Sequence, residues 1–303
     1  MNSLSPQTIK ERSHFIKKTR DFFYKMGFIE VDTPFVVNTP SLEPHIDPYT
    51  VKVENGKEKY LITSPEYSMK KILGMGCEKI FEIAHSWRSD ERGHWHSSEF
   101  LMLEWYWVDS DLEMLIEFSH QLIENLLDKK IDKQIISIEK WFKEHFNHGH
   151  TRKELEKNPQ FEGLSPDKME YEELFFRLFL NTEERLNDMG LVFFTDYPEE
   201  LRAYSTVSDN RAQRFEIYLN GVELANAFNE EKSKIELEKI LKKEQYQREI
   251  LNKENFIIDK DFTACLDHIK PNITGIAMGL DRLFALSKNA KSLSEISFYQ
   301  QRK

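Results

Sequence analysis

Cysteine is nearly missing from this 303-residue chain, with only Cys77 and Cys265 present. Two thiols without a CxxC spacing cannot build a disulfide framework, so a reducing compartment is expected and the protein reads as cytoplasmic. Glycine (11) and proline (10) are too sparse for a fibrous or low-complexity chain. No window approaches 18 consecutive apolar residues, and the start MNSLSPQTIKERSHF has no apolar run behind a basic end. Neither a membrane span nor a signal peptide is expected. A surplus of positive charge is missing too, since the net charge is -10, which argues against nucleic-acid binding through a broad basic surface. No Gly-rich phosphate loop of the GxGxxG or Walker type occurs. What remains, 40% hydrophobic and 31% charged residues, is the composition of a folded globular protein.

The periodicities alternate between helix and strand. Ser5-Pro6 reads as a cap and first helical position, and Phe15, Thr19, Phe22 and Phe23 recur at helical spacing until Gly27. FIEVDTP (28–34) reads as a short strand, followed by a Pro-rich connection and the strands YTVKV and KYLITS. A helix from Pro65 to Met75 precedes KIFEIAHSW and EFLMLEWYW, a hairpin around a charged loop at 88–98. Asp109 is expected to cap the next helix, and helical periodicity then dominates to about residue 189. LVFFT, the hairpin RFEIYLNGVELANAF with its Asn220-Gly221 turn, a charged helix at about 231–251, and GIAMGLDRLFALS complete the chain. The expectation is an α+β fold: an antiparallel sheet flanked by helices, in one domain over 1–303 with a helical insertion at about 129–190.

Several residues could carry chemistry. A two-residue turn at Asn220-Gly221 pairs Tyr218 with Glu223 and Glu216 with Ala225, which puts Glu216 and Glu223 on one face as diagonal neighbours. Two hard oxygen ligands suit Mg²⁺, which keeps several waters and shares phosphate oxygens with a nucleotide; the plainer reading is a solvated pair of glutamates. Asn226 falls on the other face in this register, so it joins them only through a twist or bulge. His94 and His96, with His85 nearby, raise a metal reading against a plain loop, as does HFNHGH (145–150). Arg88 and Arg282 taken singly read as surface or salt-bridge residues. With the glutamate hairpin and Phe100, they supply what attack at the α-phosphate of a nucleoside triphosphate requires: cations on phosphate, Mg²⁺ ligands and flat groups around adenine.

Three segments, in order, resemble the signature motifs of class II aminoacyl-tRNA synthetases. KMGFIEVDTPFV is similar to the first, a dimer-interface helix and strand ending in proline; FEIAHSWRSDERGHWHSSEFLMLEWYW resembles the second and GIAMGLDRLFAL the third. TSPEYSMKKIL and GVELANAFNE narrow the likeness to the lysyl branch. The sequence opens on the first motif, so no N-terminal anticodon-binding domain is expected, and Ala277 stands where tRNA-charging members generally have Gly. Both features resemble the short paralogues that ligate lysine to elongation factor P.

The resemblance implies ATP as substrate, Mg²⁺, a homodimer, elongation factor P as protein partner and no tRNA binding. It implies Arg88 on the α-phosphate, Phe100 and Arg282 around adenine, and Glu216 with Glu223 on Mg²⁺. Asp90, Ser97, Glu223, Leu224, Asn226 and Gly279 complete the implied ATP contacts. Ser64, Glu66, Tyr106 and Glu230 line the implied lysine pocket, with Glu104 a further candidate. The amino acid is left open between lysine and (R)-β-lysine, with Ala277 pointing to the second. The sequence departs from the family at Asp90, where Glu is usual, and at Ser97-Ser98, where relatives tend to have Asn-Pro or His-Pro.

Overall fold

The structure, a computed structural model, describes residues 5–89, 91 and 93–297. It divides into two compact units, residues 1–129 with 230–303 and residues 130–229.

The first unit opens with helix α1 (Pro6–Lys25), where the Ser5 hydroxyl accepts the Thr8 N–H at 3.0 Å and Pro6 takes a position that needs no donor. Its buried stripe, Phe15, Thr19 and Phe23, is the one the spacing predicts. Strand β1 is only Ile29–Glu30, shorter than the expected 28–34, because the chain then turns away into a small antiparallel sheet (Val36–Val37, Thr50–Lys52, Glu58–Leu61). Helix α2 (Glu66–Gly74) leads into strands β2 (Lys79–Trp87) and β3 (Glu99–Val108), paired from Lys79↔Trp107 to Trp87↔Glu99. Helix α3 (Leu112–Leu127) is capped by Asp111, whose carboxylate accepts the Met114 N–H at 2.8 Å. Asp109, the expected cap, has φ +57° and serves the turn instead; a cap residue needs extended backbone.

The second unit starts with strand β4 (Lys133–Ser137), where only helix was expected, and continues through helices α4 (Ile138–Phe146) and α5 (Tyr171–Leu180). Strands β5 (Leu191–Thr195), β6 (Arg214–Leu219) and β7 (Val222–Asn229) follow, in the sheet order β4-β5-β6-β7. The β4–β5 pairing is parallel and the other two are antiparallel.

The chain then returns to the first unit with α6 (Lys234–Ile250), β8 (Ile273–Gly279) and α7 (Leu280–Ser287). There β8 lies antiparallel to β3, and β1 is parallel to β2, so the sheet of this unit is antiparallel except at its first strand. The architecture is α+β, a mixed sheet flanked by helices.

Aromatic residues fill both cores. In the first unit Phe23 stacks on Phe81 at 4.5 Å and meets Phe28, Trp105 and Phe118. In the second, Trp141, Phe142, Phe175, Phe179 and Phe194 are buried together. Each such side chain contributes about 1.5–3 kcal/mol by leaving water, so the strands that carry the polar residues below rest on stiff backing.

Candidate active site

In the first unit, antiparallel pairing sets a row of polar residues along β3 opposite small residues of β8. Tyr106 faces Gly275 and Glu104 faces Ala277. A Cβ at position 275 would lie 2.2 Å from Glu230 Oε1 and 2.4 Å from the Tyr106 ring, so glycine is required there for space. Helix α2 brings Glu66 to the same cluster, and Lys70, one turn later, places its Nζ 2.6 Å from Glu66 Oε1 and 2.7 Å from Glu230 Oε2. The Tyr106 hydroxyl donates to Glu104 Oε1 at 2.6 Å. Four of these side chains are almost inaccessible: Glu104, Tyr106, Lys70 and Glu230 are 1%, 3%, 4% and 4% exposed.

Two buried carboxyl groups and the half-buried Glu66 around one ammonium cannot all ionise cheaply. Burial, reinforced by the charge of Glu66, holds Glu104 well above the usual carboxylate range. Burial pushes Glu230 up to about 7 against the pull of Lys70. Burial disfavours the charged form of Lys70, but Glu230 and Glu66 overcome this and keep it protonated. Burial and the neighbouring Glu104 raise the Tyr106 phenol, which stays a donor. The cluster is therefore acceptor-rich and able to take a further cation. Ser64 stands at the N-terminal side of α2, its Oγ accepting the Glu66 N–H at 3.4 Å.

The same unit carries the cationic residues. Arg88, just past β2, lies 5.2 Å from the Phe100 ring centroid, donates from Nε to the Thr63 carbonyl at 3.4 Å and has Glu91 at 3.5 Å. Its backbone N–H bonds the Ser98 carbonyl at 3.0 Å, closing the base of the charged loop. Ser97 Oγ is buried and has no hydrogen-bond partner among the described residues. Arg282 donates from Nε to the Trp95 carbonyl at 2.9 Å. Its neighbour Asp281 accepts the Leu101 N–H at 2.9 Å and pairs with Arg12 at 2.5 Å, which ties the start of α7 to β3 and α1. Gly279, opposite Met102, lets the Arg282 stem pass 3.3 Å from where a Cβ would sit. Asp90 lies outside the described residues.

In the second unit, the β6–β7 hairpin pairs Leu219 with Val222 and Tyr218 with Glu223, as expected, but the register then shifts. Glu216 faces Asn226, not Ala225, because Leu224 is an extra residue in β7. This bulge turns Asn226 to the side of Glu216, and Arg214 Nη2 bonds both, at 2.6 Å to Glu216 Oε1 and 2.8 Å to Asn226 Oδ1. Glu216 is 5% exposed and also accepts from the Tyr197 and Tyr218 hydroxyls, at 2.7 and 3.1 Å. Burial raises its carboxyl, Arg214 opposes this, and the charge of Glu223 adds to the rise. Glu223 is exposed and Leu224 buried.

A carboxylate offers about four acceptor positions; Arg214 and the two tyrosines use three on Glu216, leaving one. With Glu223 and the Asn226 carbonyl on the same face, the donor set fits a hard divalent cation that retains waters. Among the described residues no group of three or more His, Cys, Asp or Glu could hold a metal by itself. The histidines have local partners instead: His96 with Glu91 at 3.7 Å, His85 with Glu99 at 3.2 Å, and His145 stacked on Trp141 at 3.9 Å. His148 meets Asn158 at 2.8 Å and His150 meets Tyr171 at 3.3 Å.

Of the residues expected from sequence, the first unit brings Glu66, Tyr106, Glu230 and Glu104 into one cluster, with Ser64 beside it, and Arg88 against Phe100. The second brings Glu216, Glu223 and Asn226 to one strand face. Lys70, Gly275, Arg214, Tyr197 and Tyr218 were not foreseen. The one available signal was Lys70 at i+4 from Glu66, in a helix whose Met69 and Leu73 mark a buried side.

The first unit thus sets acids around a buried ammonium in one cluster and cations beside a flat ring in another. The chain belongs to the class II tRNA synthetases of the D, K and N group, whose family model matches residues 1–303. That family consists of ATP-dependent ligases, so the protein is an enzyme of that class. It is 38% identical over 279 residues to the elongation factor P (R)-beta-lysine ligase homolog of Aquifex aeolicus, covering 90% of this chain and 92% of the relative. It is also 31% identical to the elongation factor P (R)-beta-lysine ligase of Hamiltonella defensa and 30% identical to that of Edwardsiella ictaluri, in each case over 94% of this chain and 92% of the relative. Among the described residues no helix is long and apolar enough to cross a membrane.

Proposed function

We propose that the protein activates lysine or (R)-β-lysine with ATP and transfers it to the ε-amino group of a lysine on elongation factor P. The observation that carries this reading is the buried cluster of Glu66, Glu104, Tyr106 and Glu230, an acceptor set suited to an aliphatic substrate with two ammonium groups. The names of the relatives support the acceptor and, with Ala277 opposite Glu104, favour the (R)-β isomer.

In the first step a carboxylate oxygen of the amino acid attacks the α-phosphorus of ATP, and the bond to pyrophosphate breaks. Arg88 neutralises charge on the α-phosphate, and Phe100 and Arg282 hold adenine. Ser97, Leu224, Asn226 and Gly279 complete the nucleotide contacts. Glu216 and Glu223 hold Mg²⁺, which supplies charge neutralisation on the phosphates. In the second step the acceptor amine attacks the adenylate carbonyl, AMP leaves, and the amine loses a proton as the amide forms. Ser64, Glu66, Tyr106 and Glu230 orient the substrate through both steps, and positioning of this kind supplies a large share of the rate.

The exposed apolar residues Ile9 and Tyr24 on α1 and Ile29 on β1 support a homodimer. Cys77 and Cys265 are both free thiols, in keeping with action in the cytoplasm. Incubation with ATP, each lysine isomer and purified elongation factor P, followed by intact mass, tests the reading. One added lysyl residue per factor, with release of AMP and pyrophosphate, is expected. Transfer of labelled lysine to tRNA alone would overturn the acceptor, and absence of lysine-dependent pyrophosphate exchange would overturn the activity.

A further inference from the structure

Lys70 is a lysine buried inside a pocket read as built for lysine. An i,i+4 pair with Glu66 on a helix surface would leave the ammonium in water at no cost, yet here it is 4% exposed. It bridges Glu66 and Glu230, and the rings of Tyr106 and Phe262 lie 5.7 and 5.8 Å from its Nζ. It takes one oxygen of each carboxylate, and each carboxylate has a second. For Glu230 that second oxygen, Oε1, faces the room left by Gly275.

Without a cation between them, the charge of the half-buried Glu66 would add to the burial that already raises Glu230, and a protonated Glu230 loses its attraction for an incoming ammonium. The other titratable groups around Lys70 do not substitute for it. Glu104 and Tyr106 on β3 are acids, and the Cys265 thiol on helix Lys260–Cys265 is pushed up to about 11 by burial. Lys71 is engaged with Asp259 at 2.6 Å.

We propose that Lys70 is a positioning residue of the amino-acid pocket: its ammonium holds the Glu66 and Glu230 side chains side by side, leaving one oxygen of each for the substrate's ammonium group. This rests on the assignment of Glu66 and Glu230 to the substrate, and the two can be separated by experiment. The measurement is lysine-dependent pyrophosphate exchange from pH 6 to 9, with ATP KM as the check on folding.

Lys70→Ala is expected to raise the KM for lysine at least about tenfold at pH 7 while kcat changes far less. Its KM should fall by about tenfold per pH unit toward alkaline pH, as the unpaired carboxyl ionises without help. Added n-butylammonium, which restores the missing side chain as a free cation, should lower it, and Lys70→Arg should lie between wild type and Lys70→Ala. A KM unchanged in Lys70→Ala, or raised equally at every pH with no response to the amine, overturns the inference. Where Lys70→Ala does not fold, Lys70→Met/Glu230→Gln removes one charge of each sign. Its lysine KM should equal that of Glu230→Gln alone, and additive losses would reject action through Glu230. If Glu66→Gln and Glu230→Gln both leave the lysine KM unchanged, the substrate reading itself fails. If they raise it and Lys70→Ala does not, only the role of Lys70 is lost.

Discussion

Gly275 stands directly opposite Tyr106 across the β8–β3 pairing, with so little room that a methyl group at 275 would sit 2.4 Å from the tyrosine ring and 2.2 Å from Glu230 Oε1. Gly275→Ala is therefore expected to abolish lysine-dependent pyrophosphate exchange. ATP binding, followed by quenching of tryptophan fluorescence, should survive, since Arg88, Phe100 and Arg282 are not touched. Equal loss of both would mean that β8 as a whole had shifted.

The pH dependence of lysine use should report Glu230. Its carboxyl is raised to about 7, chiefly by burial, so it is neutral below that pH and an ammonium acceptor above it. The KM for lysine should rise as pH falls below 7, by up to about tenfold per unit, and Glu230→Gln should remove this slope. Stability runs the other way. A carboxyl raised in the folded state contributes stability that is present below its unfolded value and lost as pH rises through about 7. The ligand-free wild type should accordingly lose thermal stability relative to Glu230→Gln between pH 5 and pH 8, and lysine should restore more of it at pH 8.

The hydroxyl of Tyr197 reaches Glu216 at 2.7 Å from within the core of the second unit. Tyr197→Phe keeps the ring and removes that bond. The Mg²⁺ concentration for half-maximal pyrophosphate exchange should increase by about ten- to a hundredfold, the usual cost of losing a group that orients a metal ligand. An unchanged Mg²⁺ requirement would count against Glu216 as a ligand.

Arg248, on α6, is wholly buried and donates to the carbonyls of Glu43, Ile46 and Glu254 and to Asp47 Oδ1, all within 3.0 Å. The Asp47 carbonyl in turn accepts the Ser89 N–H at 2.7 Å, one residue past Arg88. Arg248→Met should cost about 3–5 kcal/mol in urea unfolding, because it removes four hydrogen bonds at once from the Glu43, Ile46 and Glu254 carbonyls and from Asp47, which keeps only its pairing with Lys253 on the other oxygen. The ATP KM should rise with it. Arg248→Lys should recover little, since an ammonium cannot reproduce the fork.

Much of this was legible in advance where one period dominates. KIFEIAHSW and EFLMLEWYW were read to the residue or nearly so, because strong β formers flank an unmistakably polar loop. The strand at Lys133–Ser137 was not, since it is short, lies at a sheet edge and leaves Ile135 more than half exposed, so it carries no alternation to detect. Glu216 and Glu223 could be nominated because paired carboxylates on a hairpin stand out, whereas Glu66, Glu104 and Glu230 were marked only by the likeness to the family. Lys70 and Arg214 could not: a lysine in EYSMKKIL and an arginine opening a strand both look solvated, and only the convergence of distant segments buries them. The register at Glu216 was missed for a related reason, as a bulge leaves no mark in composition.

That single extra residue, Leu224, gives β7 a different beat. Strand residues share a side at every second position, yet Glu223 and Asn226 share one at a spacing of three. The strand thus uses a helix-like interval for one step, and pairing the same residues without the bulge would send the amide to the opposite face while leaving the composition intact. In comparing chains of this kind, the spacing from Glu223 to Asn226 therefore has to be read together with the bulge that it requires.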